Sequence, residues 1–330
     1  MTRTMHRLAI LAAIIAFCVI VLGAWVRLSH AGLGCPDWPG CYGQLTWPKA
    51  AHEIQSANQA FPERPFEAHK AWREMVHRYL AGSLVLLVFA MSWLAWRGPQ
   101  ALHRFRPITT ALALLIIFQA LLGMWTVTLK LKPVIVMAHL LGGLTTFSLV
   151  LWLMFSSRRE FSDKPSMPVR KMHGPVIIGI IVLALQIALG GWTSANYAAL
   201  ACPDFPFCGG QWWPDANFRE GFILWREIGV NYEGGLLDGP SRIAIHLTHR
   251  IGAVVTLLVL LALAIRLVRI PRLRTGGQLL MVLVLLQFTL GIMNVVLYLP
   301  LANAVAHNAG ATLLLATLLG LLYRTSSRVA

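Results

Sequence analysis

Apolar residues run along this chain in stretches far longer than a globular core uses. The segments at about 8–29, 78–96, 108–129, 134–155, 175–195, 245–265, 278–298 and 302–323 each approach the roughly 20 residues that a helix needs to cross a hydrocarbon layer about 30 Å thick. Polar residues gather between them, chiefly at about 30–74 and 196–243. The pattern predicts an all-α membrane protein with eight transmembrane helices. The first segment follows Arg3 and Arg7 as a signal peptide would. It is too long for one, and no small-x-small cleavage site follows, so it is expected to remain as the first helix. Within the long polar segments, the aromatic-rich stretches Phe66 to Trp72 and Phe218 to Trp225 are expected to lie on the headgroups as interfacial helices.

The pattern also repeats. Leu22-Gly23-Ala24-Trp25 leads to Cys35-Pro36-Asp37-Trp38-Pro39-Gly40-Cys41 and Gly43-Gln44; Leu189-Gly190-Gly191-Trp192 leads to Cys202-Pro203-Asp204-Phe205-Pro206-Phe207-Cys208 and Gly210-Gln211. His77-Arg78 and His249-Arg250 each open an apolar run. Gln119-x-x-Leu-Gly123 is matched by Gln287-x-x-Leu-Gly291, and Ala138-His139 by Ala306-His307. So many ordered matches mark an internal duplication. Four helices per half make the repeat parallel. The halves, 1–160 and 161–330, are therefore expected to form two four-helix bundles, pseudo-symmetric about an axis along the membrane normal.

Composition agrees: 57% of residues are hydrophobic and 12% charged, too little polar surface for a soluble protein of 330 residues. The net charge of +15 would invite a nucleic-acid reading, but its distribution gives a different one. With the N-terminus in the cytoplasm, the segments on that side hold Arg3, Arg7, Arg97, Arg104, Arg106, Arg158, Arg159, Lys164, Arg170, Lys171, Arg266, Arg269, Arg272, Arg274, Arg324 and Arg328, against only Glu160 and Asp163. Short basic loops on one side are the positive-inside signature. Both termini are thus expected in the cytoplasm, with lipid as the surrounding partner and no nucleic acid.

His77, His139, His249 and His307 fall near the starts of the second, fourth, sixth and eighth helices, all toward the outer face. A lone buried histidine is usually a hydrogen-bonded structural residue. Four at repeat-equivalent positions, in a medium where ionisable groups are costly, point to function. Two imidazoles on facing helices of a bundle suit bis-histidine ligation of heme iron; zinc would call for further ligands, and none repeats alongside them. Arg78 and Arg250 follow the first ligand of each pair, where a cation could meet a heme propionate or simply snorkel to the interface. The halves differ three residues earlier, with Glu74 in one and His246 in the other. A carboxylate beside one heme can accept protons during oxidation of a substrate; the alternative is a cap or an ion pair with Arg73 or Arg78. Cys35/Cys41 and Cys202/Cys208 lie in proline-constrained turns on the oxidising side, which favours a disulfide within each loop. Such a pair is either a loop staple or a redox-active dithiol. Cys18 reads as a small apolar residue within the first helix.

In these features the chain resembles the heme A synthase family over nearly its whole length. The features are eight helices, the duplication, Glu74-x-x-His77, the Cys-x5-Cys loops and the four histidines. The resemblance implies an oxidoreductase that converts the C8 methyl of heme O to the formyl of heme A. It implies heme B as cofactor on His249 and His307 in the C-terminal half, and heme O as substrate on His77 and His139 in the N-terminal half, with Glu74 as the essential carboxylate. It implies a bacterial inner membrane, a heme O synthase upstream and a terminal oxidase downstream. A non-catalytic diheme b-type cytochrome and a heme transporter or chaperone are the alternatives.

Overall fold

The computed structural model describes residues 2–158 and 165–326. Arg159, Glu160, Asp163, Lys164 and Arg328, counted above in the charge asymmetry, lie outside them, as does the division at 160/161. Among the described residues the helices are α1 (Thr2–Leu28), α2 (Ala51–Ala60), α3 (Ala68–Arg97), α4 (Arg106–Thr128), α5 (Pro133–Ser157), α6 (Met167–Arg170), α7 (His173–Ala195), α8 (Phe218–Gly221), α9 (Gly239–Val268), α10 (Arg274–Val296) and α11 (Leu301–Thr325). Eight of them, α1, α3, α4, α5, α7, α9, α10 and α11, are long and apolar enough to cross a membrane.

Several helices begin where the sequence fixes them. Pro133 occupies the first turn of α5 and Pro240 that of α9, positions where the missing N–H costs nothing. The α4–α5 turn passes through Lys130 and Leu131 at φ 49° and 60°, and the α10–α11 turn through Tyr298 and Leu299 at 55° and 61°. The repeat therefore holds in backbone conformation, down to two consecutive non-glycine residues in the left-handed region.

The helices pack in two circuits. In the first, α1 packs on α3, α3 on α4, α4 on α5, and α5 back on α1; in the second, α7, α9, α10 and α11 do the same. The circuits join where α1 meets α11 and α5 meets α7 and α11. One buried apolar cluster runs through both, from Leu112 and Val150 to Leu260 and Leu318. Large apolar side chains also cover the outside: Leu86, Leu114, Leu258 and Val282 are exposed. A soluble protein would not leave them so; lipid accepts them.

The apolar runs understate two helices. α3 begins at Ala68 and α9 at Gly239, well before the expected 78 and 245, and each has 30 residues. At 1.5 Å per residue that is about 45 Å, so the first turns project beyond the hydrocarbon layer. The cysteine loop holds this extra length of α3: Ala71 and Met75 are buried against Cys35, Cys41 and Tyr42. The stretch Phe66 to Trp72 is consequently the start of α3 and not a separate interfacial helix, and Phe218 to Trp225 contains only the single turn α8. The surface helix of the first loop is α2, where Glu53 accepts from the backbone N–H of Lys49 (2.7 Å) and Ala50 (2.9 Å).

Candidate heme sites

The histidines sit deeper than the first turn. His77 is ten residues into α3 and His139 seven into α5, with His249 and His307 in matching places on α9 and α11. Counting about 20 residues back from the basic ends of the four helices brings all four to one edge of the hydrocarbon layer, on the side of the cysteine loops. α3 and α5 stand at opposite corners of the first circuit, and α9 and α11 at opposite corners of the second. His77 is within electrostatic range of His139, and His249 of His307. Each pair thus faces inward across its own circuit.

The intervening helices supply a glycine to each ring. A Cβ at Gly23 of α1 would lie 3.0 Å from Cε1 of His77, and one at Gly123 of α4 3.4 Å from Cε1 of His139. The same holds at Gly190 of α7 and Gly291 of α10, at 3.1 Å from His249 and 3.2 Å from His307. At Gly23, Gly190 and Gly291 a Cβ would be a tight contact to which the ring must yield by a few tenths of an ångström; at Gly123 it would only touch the ring. All four histidines keep some accessible surface, whereas Nδ1 of His77, His139 and His307 is buried with no hydrogen-bond partner. That leaves the Nε2–Cδ2 edge to carry the exposure. A ligating imidazole needs Nε2 open and a proton at Nδ1. The donor set, two neutral imidazoles from opposite helices, fits a heme iron in each half. Among the described residues no three His, Cys, Asp or Glu converge as an ion site.

Above each pair lies a cysteine loop. The structure joins Cys35 to Cys41 and Cys202 to Cys208, with Cα atoms 4.8 and 4.5 Å apart; Cys18 is free, on α1. Asp37 accepts from the N–H groups of Tyr42 (2.6 Å) and Gly43 (2.7 Å), and Asp204 from those of Gly209 (2.7 Å) and Gly210 (2.8 Å). The bonds from Gly210 and Gly209 hold the Asp204 carboxyl below the usual range. Burial pushes the Tyr42 phenol up to about 12, so it stays protonated and donates to the carbonyls of Arg64 (3.2 Å) and Pro65 (3.3 Å).

Glu74 and His246 hold these loops down in equivalent ways. Glu74 is buried; Oε2 accepts from the Cys35 N–H at 2.9 Å and Oε1 from the Arg78 guanidinium. The ion-pair alternative raised by the sequence is therefore realised with Arg78, in a buried setting. His246 Nδ1 accepts from the Cys202 N–H at 3.1 Å, and Arg250 Nε approaches its Nε2 at 3.3 Å. A neutral ring cannot accept at both nitrogens, so the Cys202 bond puts the proton on Nε2 and the arginine is a neighbour only. The repeat keeps the clasp and changes its charge. Arg78 also donates to the carbonyls of Asp37, Pro39 and Gly40, and Arg250 to those of Cys202, Asp204 and Phe207. Either guanidinium would have to release loop carbonyls to reach a propionate.

Sequence reasoning overlooked the glycine cradles and the contact between the halves. Gly23, Gly123, Gly190 and Gly291 all stood in the repeated motifs, but nothing in one dimension showed that each backs a histidine. Arg27 donates to the Ser194 carbonyl at 2.6 Å and lies 4.2 Å over the Tyr197 ring; Arg64 pairs with Glu233 at 3.5 Å. Arg27 and Ser194 occupy equivalent positions of the two halves but carry different residues, so the repeat gives no signal of their contact.

Fold and site together define an all-helical integral membrane protein with two inward-facing histidine pairs under disulfide-closed loops. The COX15-CtaA model, described as cytochrome oxidase assembly protein, matches residues 6–319, and the chain belongs to that family. A heme A synthase of Shewanella oneidensis is 46% identical over 305 residues, 92% of each chain. Heme A synthases of Rhizorhabdus wittichii (27% identical, covering 94% of this chain and 90% of the relative) and Halalkalibacterium halodurans (26%, 96% of each) are more distant.

Proposed function

We propose that this chain is a heme A synthase, an oxidoreductase that converts the C8 methyl of heme O to the formyl of heme A. The N-terminal half, 1–160, receives heme O between His77 and His139. The C-terminal half, 161–330, retains heme B between His249 and His307. The two halves are related by a pseudo-twofold axis along the membrane normal. The observation that carries this reading is the recurrence of one construction twice, with a carboxylate in only one copy. Each copy has diagonal histidines at one depth, a glycine behind each ring and a clasped disulfide loop above; Glu74 is present beside one pair and His246 beside the other.

Bound heme B supplies an electron acceptor beside the substrate. The chain's own residues do the rest. His77 and His139 fix the plane of the substrate macrocycle through its iron. Glu74 takes protons released from the methyl carbon, its orientation held by the Cys35 N–H and Arg78. The Cys35–Cys41 loop, clasped by Arg78, closes the outer end of the site. In this reading the chemistry lies on the outer side of a bacterial inner membrane and both termini are cytoplasmic, as the basic loops suggest. A heme O synthase supplies the substrate and a terminal oxidase receives the product.

Co-expression with a heme O source, followed by chromatography of the hemes extracted from purified protein, tests the proposal. Heme A alongside heme B is the expected result. Heme B alone in both halves would instead indicate a diheme cytochrome, and unaltered heme O that exchanges freely a carrier.

A further inference from the structure

The four histidine corners are not alike. At three of them a glutamine stands four residues before the cradling glycine: Gln119 before Gly123, Gln186 before Gly190, Gln287 before Gly291. Each of these glutamines packs into room left by another glycine three residues after the histidine, namely Gly142, Gly252 and Gly310, where any Cβ would overlap the amide. The corner at His77 has neither residue. Val19 stands four before Gly23, and Leu80 three after His77. Only one amide reaches its ring: Gln186 Nε2 lies 3.0 Å from His249 Nδ1 and 3.0 Å from the His249 carbonyl oxygen. Its Oε1 is buried without a partner.

We propose that Gln186 is a positioning residue that holds His249 as a permanent heme ligand, a side-chain contact that Val19 cannot make beside His77. This rests on the heme ligation proposed above. An imidazole that binds iron through Nε2 carries its proton on Nδ1, and an acceptor there fixes the ring and raises its basicity. A half-turn of the Gln186 amide, with a small shift away from the His249 carbonyl that Nε2 now meets, offers that proton Oε1, the atom that now lacks a partner. Beside His77 the valine side chain offers neither donor nor acceptor, and only the Val19 backbone carbonyl stands near the ring. The asymmetry matches the two tasks. A cofactor must stay, whereas a substrate must enter and its product leave, and the one ring that an amide reaches is on the cofactor side.

The test uses full-length protein purified from cells without a heme O source and holding heme B. Gln186→Val, which copies the first half, should release heme to apomyoglobin about 10–100-fold more readily, the range typical for loss of such a partner. It should also shift the heme midpoint potential positive, because a less basic imidazole stabilises ferric iron less. Gln186→Glu should restore retention and carry the potential below that of the parent, since an anionic acceptor increases imidazolate character. Should Gln186→Val not fold, Val19→Gln with Leu80→Gly reads the same effect from the other side, as slower release of heme O. Parental retention and potential in Gln186→Val, or unchanged heme O release from the Val19→Gln/Leu80→Gly protein, would overturn the inference. His249→Ala separates it from the ligand assignment. If that variant keeps heme like the parent, the assignment itself fails; if it loses heme while Gln186→Val does not, only the role of Gln186 fails.

Discussion

Glu74 shows most directly what one residue does in this molecule. Its carboxylate is buried, bonded to the loop at Cys35 and paired with Arg78. Removing one member of a buried pair typically costs about 3–5 kcal/mol because the other charge is stranded, so alanine would confuse stability with chemistry. Glu74→Gln keeps an oxygen for the Cys35 N–H and removes the proton-accepting ability. It is expected to leave heme B content near that of the parent and to lower heme A formation by roughly 10²–10⁴-fold, the usual worth of a general base. Chromatography of extracted hemes reads both, and undiminished heme A would take the carboxylate out of the reaction. The histidines divide by half. His249→Ala and His307→Ala should strip heme B from the purified protein, whereas His77→Ala and His139→Ala should retain most of it; the pyridine hemochrome content measures this. Equal losses from all four would mean two permanent hemes.

At the scale of elements, the cysteine loops and the extended starts of α3 and α9 depend on one another. Each loop is tied at its first cysteine N–H to the helix below, at several carbonyls to an arginine of that helix, and internally by an aspartate and a disulfide. Mass spectrometry of unreduced peptides should recover Cys35–Cys41 and Cys202–Cys208 and no cross-link between loops. Asp204→Ala removes the acceptor for Gly209 and Gly210 and should make Cys202–Cys208 reducible at lower dithiothreitol, with Cys35–Cys41 unaffected. The pH dependence has a definite sign. Asp204 has a depressed folded-state pKa, so its contribution is complete above the ordinary aspartate range and is lost as pH falls through the lowered value. Amide exchange at Gly209 and Gly210 should therefore speed up on strong acidification.

Over the whole molecule, the basic residues gather at one end of the helices, and the contact between the two circuits sets the distance between the sites. The basic ends of α3 and α9 and the 3-10 turn Gln100–Phe105, which carries Arg104, lie at the opposite end from the cysteine loops. A thiol introduced at Arg104 is expected to resist a membrane-impermeant maleimide in intact cells and to react after lysis. Labelling from outside would invert the topology. The halves join along α1, α5, α7 and α11, where Gly191 lets Leu140 approach closely, and are tied at the end that carries the cysteine loops by Arg27 with Tyr197 and Arg64 with Glu233.

Hydrophobic run length alone determined the all-α class and the eight membrane helices, because a bilayer offers backbone polar groups no partner outside the helix. The duplication singled out four histidines at equivalent positions, since symmetry-related positions answer to the same packing. The tertiary structure alone decided where α3 and α9 begin. Their first turns are polar, and they are helical because the cysteine loops bury Ala71 and Met75 on one and Ala244 and Ile245 are covered on the other. It alone decided that Glu74 and Arg78 form a buried pair, that each histidine rests on a glycine from a neighbouring helix, and that Gln186 reaches His249. Those contacts join residues as far as 63 positions apart. Which side chains meet at such separations depends on the rotation and offset of packed helices, and hydrophobic periodicity leaves both undetermined when a helix is apolar on every face.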